Sequence, residues 1–190
     1  MDVRSLSGEL QRFAQLERVL GALLVLTPLL LIVVDTGPDG VRDSISAYHD
    51  VGTPQAFYVP LTIGAMLFFA NGIVRHAHVY NIVLGAALLG VMVFDHDGAS
   101  STPHFLCAAV FFGGNVVVMM FFSTNKSAPL KVGFVGGVAL AIALWIFTDW
   151  FTLFWAEWVS LQIIAVHFIL DSVGWSDYEA LPPGEAPKLA

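Results

Sequence analysis

Residues Val91–Phe112 read VMVFDHDGASSTPHFLCAAVFF: an apolar run, the polar stretch DHDGASSTPH, and a second apolar run. Two architectures fit such a stretch. It is either a turn between two buried helices of a soluble domain or a turn at a bilayer surface between two spans. The composition of the whole chain decides between them. Its 190 residues are 57% hydrophobic and only 12% charged, with a mean hydropathy of +0.77. A soluble domain of this length carries about a quarter of its residues as charges. At half that level, with Phe, Leu and Val abundant, the solvent of the outer surface is lipid.

Working outward, the apolar runs are Leu20–Val34, Phe57–Val74, Val79–Phe94, Phe105–Phe122, Val132–Phe147 and Phe154–Leu170. Each approaches the roughly 20 residues that cross a bilayer as a helix. The expected fold class is therefore an all-α integral membrane protein, a bundle of six transmembrane helices. Residues 1–18 form a cytoplasmic or interfacial lead-in, 19–171 the membrane domain and 172–190 a disordered cytoplasmic tail. Within the lead-in, Leu10, Phe13, Leu16 and Leu20 recur at helical spacing, as in a helix lying along the membrane surface. No small-x-small cleavage site precedes TGPDG, so the first run reads as a span and not as a cleaved signal peptide.

Lysine and arginine positions give the orientation. Arg4, Arg12 and Arg18 precede the first run, Arg75 follows the second, Lys126 and Lys131 follow the fourth, and Lys188 lies in the tail. Only Arg42 falls in an odd-numbered loop. The positive-inside rule then places both termini in the cytoplasm of a cell-membrane protein. Loops one (DTGPDGVRDSISAYHDVGTPQ), three (DHDGASSTPH) and five emerge outside, with most of the acidic residues and three of the six histidines. Trp150, Trp155 and Trp158 sit at the same level, as an interfacial anchoring belt does.

Several function classes fall away at this point. A net charge of −7 with no basic cluster is unsuited to a nucleic-acid partner. A single cysteine, Cys107, excludes an intrachain disulfide and reads as a buried thiol. Small residues at Gly113–Gly114 and at Gly133, Gly136 and Gly137 offer close helix approach, within the chain or in a homo- or hetero-oligomer.

The chemistry-bearing residues gather outside. Asp95 ends the third run, His104 begins the fourth, and His49 and Ser46 lie in loop one. Glu157 stands about one turn inside the last run, where an ionisable group is costly and faces the bundle interior with a partner; His104, His49 and Ser46 are the candidates. Imidazoles with carboxylates suit zinc, so His49, His104 and Asp95 are candidate ligands, with Glu157, Asp95 and Ser46 as candidate catalytic groups. A metal-bound water would then attack a lipid amide or ester. In the structural alternative, His96 and Asp97 are solvated loop residues, His104 or Asp95 ends a helix, and Glu157 bonds a neighbouring hydroxyl or indole. A nucleophile pairing of Ser46 with His49, or of Ser100 with His104, lacks the Gly-x-Ser-x-Gly elbow. On the inner side, His76, His78 and His167 do not oppose one another at one depth, which disfavours haem, and Asn115 reads as interhelical glue.

Three segments carry a resemblance. SISAYHD (44–50) resembles the SISAYYHT-type motif of small bacterial multi-span membrane proteins of unknown function. NIVLGAALLGVMVF with HFLCAAVFF resembles their third and fourth spans, and FWAEWVSLQIIAV their last. The spacing His104-x-x-x-Ala108-x-x-x-Phe112 is similar, more distantly, to the DRAM/Sfk-type group. A remoter likeness is to the CREST membrane hydrolases, whose serine, aspartate and histidines around zinc would fall here on Ser46, Asp95, His49 and His104. That group has seven spans and a His-x-x-x-His in its last helix, which this chain lacks. The resemblance implies six spans and marks Ser46, His49, His104 and Glu157. The convergence of ionisable groups on one face points to metal-assisted hydrolysis there or, as the alternative, to a non-catalytic partner subunit or a lipid- or small-molecule-binding protein.

Overall fold

The computed structural model describes residues 3–35, 41–50, 52–74, 79–123 and 127–172, with side chains from residue 16 onward save that of Val74. The described residues are helical with short connections, and the fold is all-α. The helices are α1 (Val3–Val34), α2 (Gln55–Val74), α3 (Tyr80–Val93), α4 (Ser101–Val117), α5 (Ala128–Phe147) and α6 (Leu153–Ser172). A π-helical turn, Val118–Phe122, extends α4, and a 3-10 turn, Ser46–Asp50, lies between α1 and α2. The lead-in is one helix with the first span, since α1 begins at Val3 and runs unbroken. The tail beyond Ser172, with His76 and His78, lies outside the described residues.

Five helical segments are long and apolar enough to cross a membrane. The sixth, α3, has 14 residues, about 21 Å of helix against a hydrocarbon core of about 30 Å. Its Phe94 leaves the helix in an extended conformation, because Asp95 and the residues after it form the turn to α4. Val33, Val93, Phe121 and Phe147 are each more than 70% exposed, which is tolerable where the surroundings are lipid and not water.

Most neighbours in sequence pack together, with α1 on α2, α3 on α2 and α4, and α5 on α6, and the first helix, α1, also packs on the last, α6. The backbones approach where glycine removes a side chain. Gly85 of α3 meets Ala65 and Phe68 of α2, Gly114 of α4 meets Leu84, and Gly137 of α5 meets Ile163. Gly113, Gly133 and Gly136 face no described atom within 4 Å of where a Cβ would stand. Pro60 lies in the second turn of α2, with the helix continuing through it. Asn115 is buried and spends its amide on its own helix, donating to Phe111 O at 2.8 Å.

Contacts at the two ends show that the helices alternate in direction. At one end Arg18 of α1 donates to Ser172 of α6 at 3.3 Å, and Asn71 of α2 donates to Glu17 of α1 at 3.1 Å. There too Ser123, just past α4, donates to Asp171 of α6 at 3.3 Å, and Lys131 of α5 donates to Ser123 O at 3.2 Å. His167 sits beside this group, buried, with Nε2 3.6 Å from Asp171 and its ring edge-on to Phe134. The opposite end gathers the α1–α2 loop, the α3–α4 loop and the start of α6, and carries the candidate site.

Candidate functional site

The α1–α2 loop is tied to α6 through its backbone. Phe154 N–H donates to Asp43 O at 2.7 Å, and Ile45 N–H donates to Glu157 Oε2 at 2.6 Å. The Ser44 hydroxyl receives Ala47 N–H at 3.1 Å, which starts the 3-10 turn, and lies 3.0 Å from Ser46 Oγ. Tyr48 points inward from that turn, fully buried against Phe154 with ring centroids 5.9 Å apart. Its phenol oxygen accepts Arg42 N–H at 3.4 Å, and burial raises its pKa above the ordinary tyrosine value. Arg42 turns back to Asp35 at 2.5 Å.

This loop delivers His49 to the α3–α4 loop. His49 Nε2 is 2.9 Å from Asp50 Oδ1 and 3.7 Å from Asp95 Oδ1. Its Nδ1 lies 2.9 Å from Ser46 O, and His104 Nδ1 lies 2.8 Å from Phe94 O. A carbonyl oxygen only accepts, so both rings carry a proton on Nδ1; the Nε2 of His49 faces the Asp50 carboxylate, and that of His104 has no hydrogen bond among the described residues. Between these two rings stands His96, with centroids 5.2 Å from His49 and 6.2 Å from His104. Ser46, His49, Asp95, His96 and His104 line one cleft. It is closed: its side chains leave no room for a water molecule.

Of the residues singled out in the sequence, Ser46, His49, Asp95 and His104 thus come together, and His96 joins them instead of standing free in the loop. Its Nδ1 is buried with no described partner. The loop pattern DHD hid this, because burial of one residue in a polar turn depends on what packs over it. Neither serine–histidine pairing forms among the described residues: His49 bonds the carbonyl of Ser46 and not its hydroxyl, and His104 bonds Phe94 O and not Ser100. Among the described residues, no group of three His, Cys, Asp or Glu side chains is arranged to hold a metal ion.

Glu157 faces elsewhere. Its partner is the Ile45 amide, whereas His104 bonds Phe94 O. The carboxyl joins Ser46 along a narrow seam lined also by Phe57, Leu88 and Phe111. On its other side it walls a cavity of about 320 Å³ between α4, α5 and α6. The cavity exists because α5 leans on α6 and on the π-turn at the far end of α4, and barely touches α4 itself. Phe105, Ala109, Phe112, Ile142 and Trp145 line it, and Glu157 and Ser160 are its polar groups.

The DUF7103 family model, described as a family of unknown function, matches residues 26–172. The chain belongs to the DUF7103 family. No curated protein and no solved structure matches it. The matched segment of this DUF7103 member holds Ser46, His49, Asp95, His96, His104 and Glu157 together with all of α2 to α6. Cleft, seam and cavity therefore all fall within the part that makes it a DUF7103 protein.

Proposed function

We propose that this protein is a six-span protein of the cell membrane, both termini cytoplasmic, that binds a lipid or other amphiphile from the outer half of the bilayer. The observation that carries the reading is the cavity of about 320 Å³ between α4, α5 and α6. Its size falls in the range of ligand sites, about 300–1,000 Å³, and an apolar wall with a few convergent polar groups is their usual composition. α5, with only 11% of its span buried, leaves the cavity flanked by lipid. The α3 helix supports a sixth crossing by packing along both α2 and α4, its apolar length made up by a tilted or locally thinned bilayer. Reporter tags should place residues 1 and 190 on the cytoplasmic side, and tags on opposite sides would end the six-span topology.

The binding reading is tested with purified protein and 1-dodecanol as a neutral single-chain probe. Wild type should bind it saturably, and Gly113→Leu, which grows a side chain into the cavity from a position with open space around it, should weaken binding about tenfold or more. Unsaturable partitioning, identical in both proteins, would end the reading.

Metal-assisted hydrolysis of a lipid amide or ester is the second reading, and one arrangement favours it. His49 and His104 each hold Nδ1 on a backbone carbonyl, as metal-ligating histidines do, with the Nε2 of His49 turned to the Asp50 and Asp95 carboxylates. Zinc would be held by His49, His104 and Asp95 once the closed cleft opened, and would supply an activated water. Glu157 and Ser46, which share the seam to the cavity, would position the acyl substrate. Purified wild type should then contain about one zinc per chain and His104→Ala should lose it; metal absent from both preparations ends this reading.

A further inference from the structure

The Glu157 carboxyl is the one ionisable group at the wall of an otherwise apolar chamber, and no basic residue shares that chamber. One of its oxygens takes the Ile45 amide; the other has no partner among the described residues. Ser160, one turn further along α6, puts a hydroxyl into the same wall. An ionised carboxyl in such surroundings is costly unless a positive charge meets it, and here the protein supplies none. The approach carries the same sign. Asp43, Asp50, Asp95, Asp97 and Asp149 are all exposed at this end, while Arg42 is its one described lysine or arginine and is held by Asp35. Such a surface concentrates cations and repels anions.

We propose that the cavity takes a long-chain amine, its ammonium group meeting Glu157 and its chain lying against Phe105, Phe112, Ile142 and Trp145. The assignment rests on the binding reading above and narrows its ligand to a cationic amphiphile. Glu157 thereby has two separate duties, one oxygen holding the outer loop and the other reading the head group. Ser160 accepts a second ammonium N–H, which a neutral alcohol head cannot supply together with the first. Anionic lipids are excluded by the same carboxylate.

The test compares dodecylamine with 1-dodecanol, equal in chain length and different in charge, by calorimetric titration of wild type, Glu157→Gln and Gly113→Leu in a non-ionic detergent. Wild type should bind the amine at least about tenfold more tightly than the alcohol, the discrimination of a desolvated charge pair. Glu157→Gln keeps an acceptor for Ile45 N–H and should bind the two probes equally, by weakening the amine alone. Gly113→Leu should weaken both. Equal affinities in wild type overturn the cationic assignment and leave the binding reading standing; failure of wild type to bind either probe overturns both. An amine preference that persists in Glu157→Gln removes Glu157 from head-group recognition and also overturns the assignment. The wild-type comparison decides the charge preference whatever the stability of the variants.

Discussion

Gly21→Ala lowers the unfolding free energy of the bundle by about 1–3 kcal/mol, the usual penalty for forcing an extra carbon into a packed interior. Gly21 lies where α1 crosses α6. A Cβ added there stands 2.7 Å from Ile169 Cγ1 and 2.9 Å from the backbone oxygen of Ala165. The isoleucine can turn away; the carbonyl cannot, so the two helices must separate. Their separation also strains the hydrogen bonds from Arg18 to Ser172, one turn below on the same helix pair. Gly133→Ala is the matched control, since its added carbon meets no described atom within 4 Å. On helix propensity alone it gains up to about 1 kcal/mol. Denaturant titration in mixed micelles measures the difference. Equal midpoints for the two variants would mean that α1 and α6 do not depend on this close approach.

Glu157→Ala loosens the α1–α2 loop at Ile45. The Ile45 amide is part of a buried residue and gives its N–H to Glu157 alone among the described residues. Leaving such a buried donor without its acceptor costs about 1–3 kcal/mol. The loss is local, because Phe154 N–H still holds Asp43 O and Tyr48 still packs on Phe154. Faster amide exchange across residues 44–50, with α2 and α6 unchanged, is the expected result. Glu157→Gln should restore protection at Ile45, because a side-chain carbonyl accepts the same hydrogen bond. Unchanged exchange in Glu157→Ala would mean that the loop is held by Asp43 and Tyr48 without the carboxyl.

The all-α fold with helices apolar enough to cross a membrane was legible because crossing a bilayer imposes a local rule: each span must carry its own apolar length. The boundaries of α2, α5 and α6 fall within a few residues of the apolar runs for that reason. α3 came out shorter than a full span because Asp95 ends it on one side while the apolar run begins only at Val79 on the other. Of the glycines singled out for close approach, Gly114 and Gly137 meet neighbours, whereas Gly113, Gly133 and Gly136 do not. Glycine content marks where helices are able to meet, and the rotation of each helix selects which glycine is used.

Sequence alone determined that the chain is an oily helical bundle, that its polar loops share one end, and that Glu157 lies where a carboxyl needs a partner. Each follows from residue type and spacing along a single helix. Tertiary structure decided that the partner is an amide 112 residues away in the chain, that His96 stands between His49 and His104, and that α4 and α5 part to leave a cavity. Those outcomes depend on the angles and registers between helices distant in sequence, which side-chain packing sets only when the whole bundle closes.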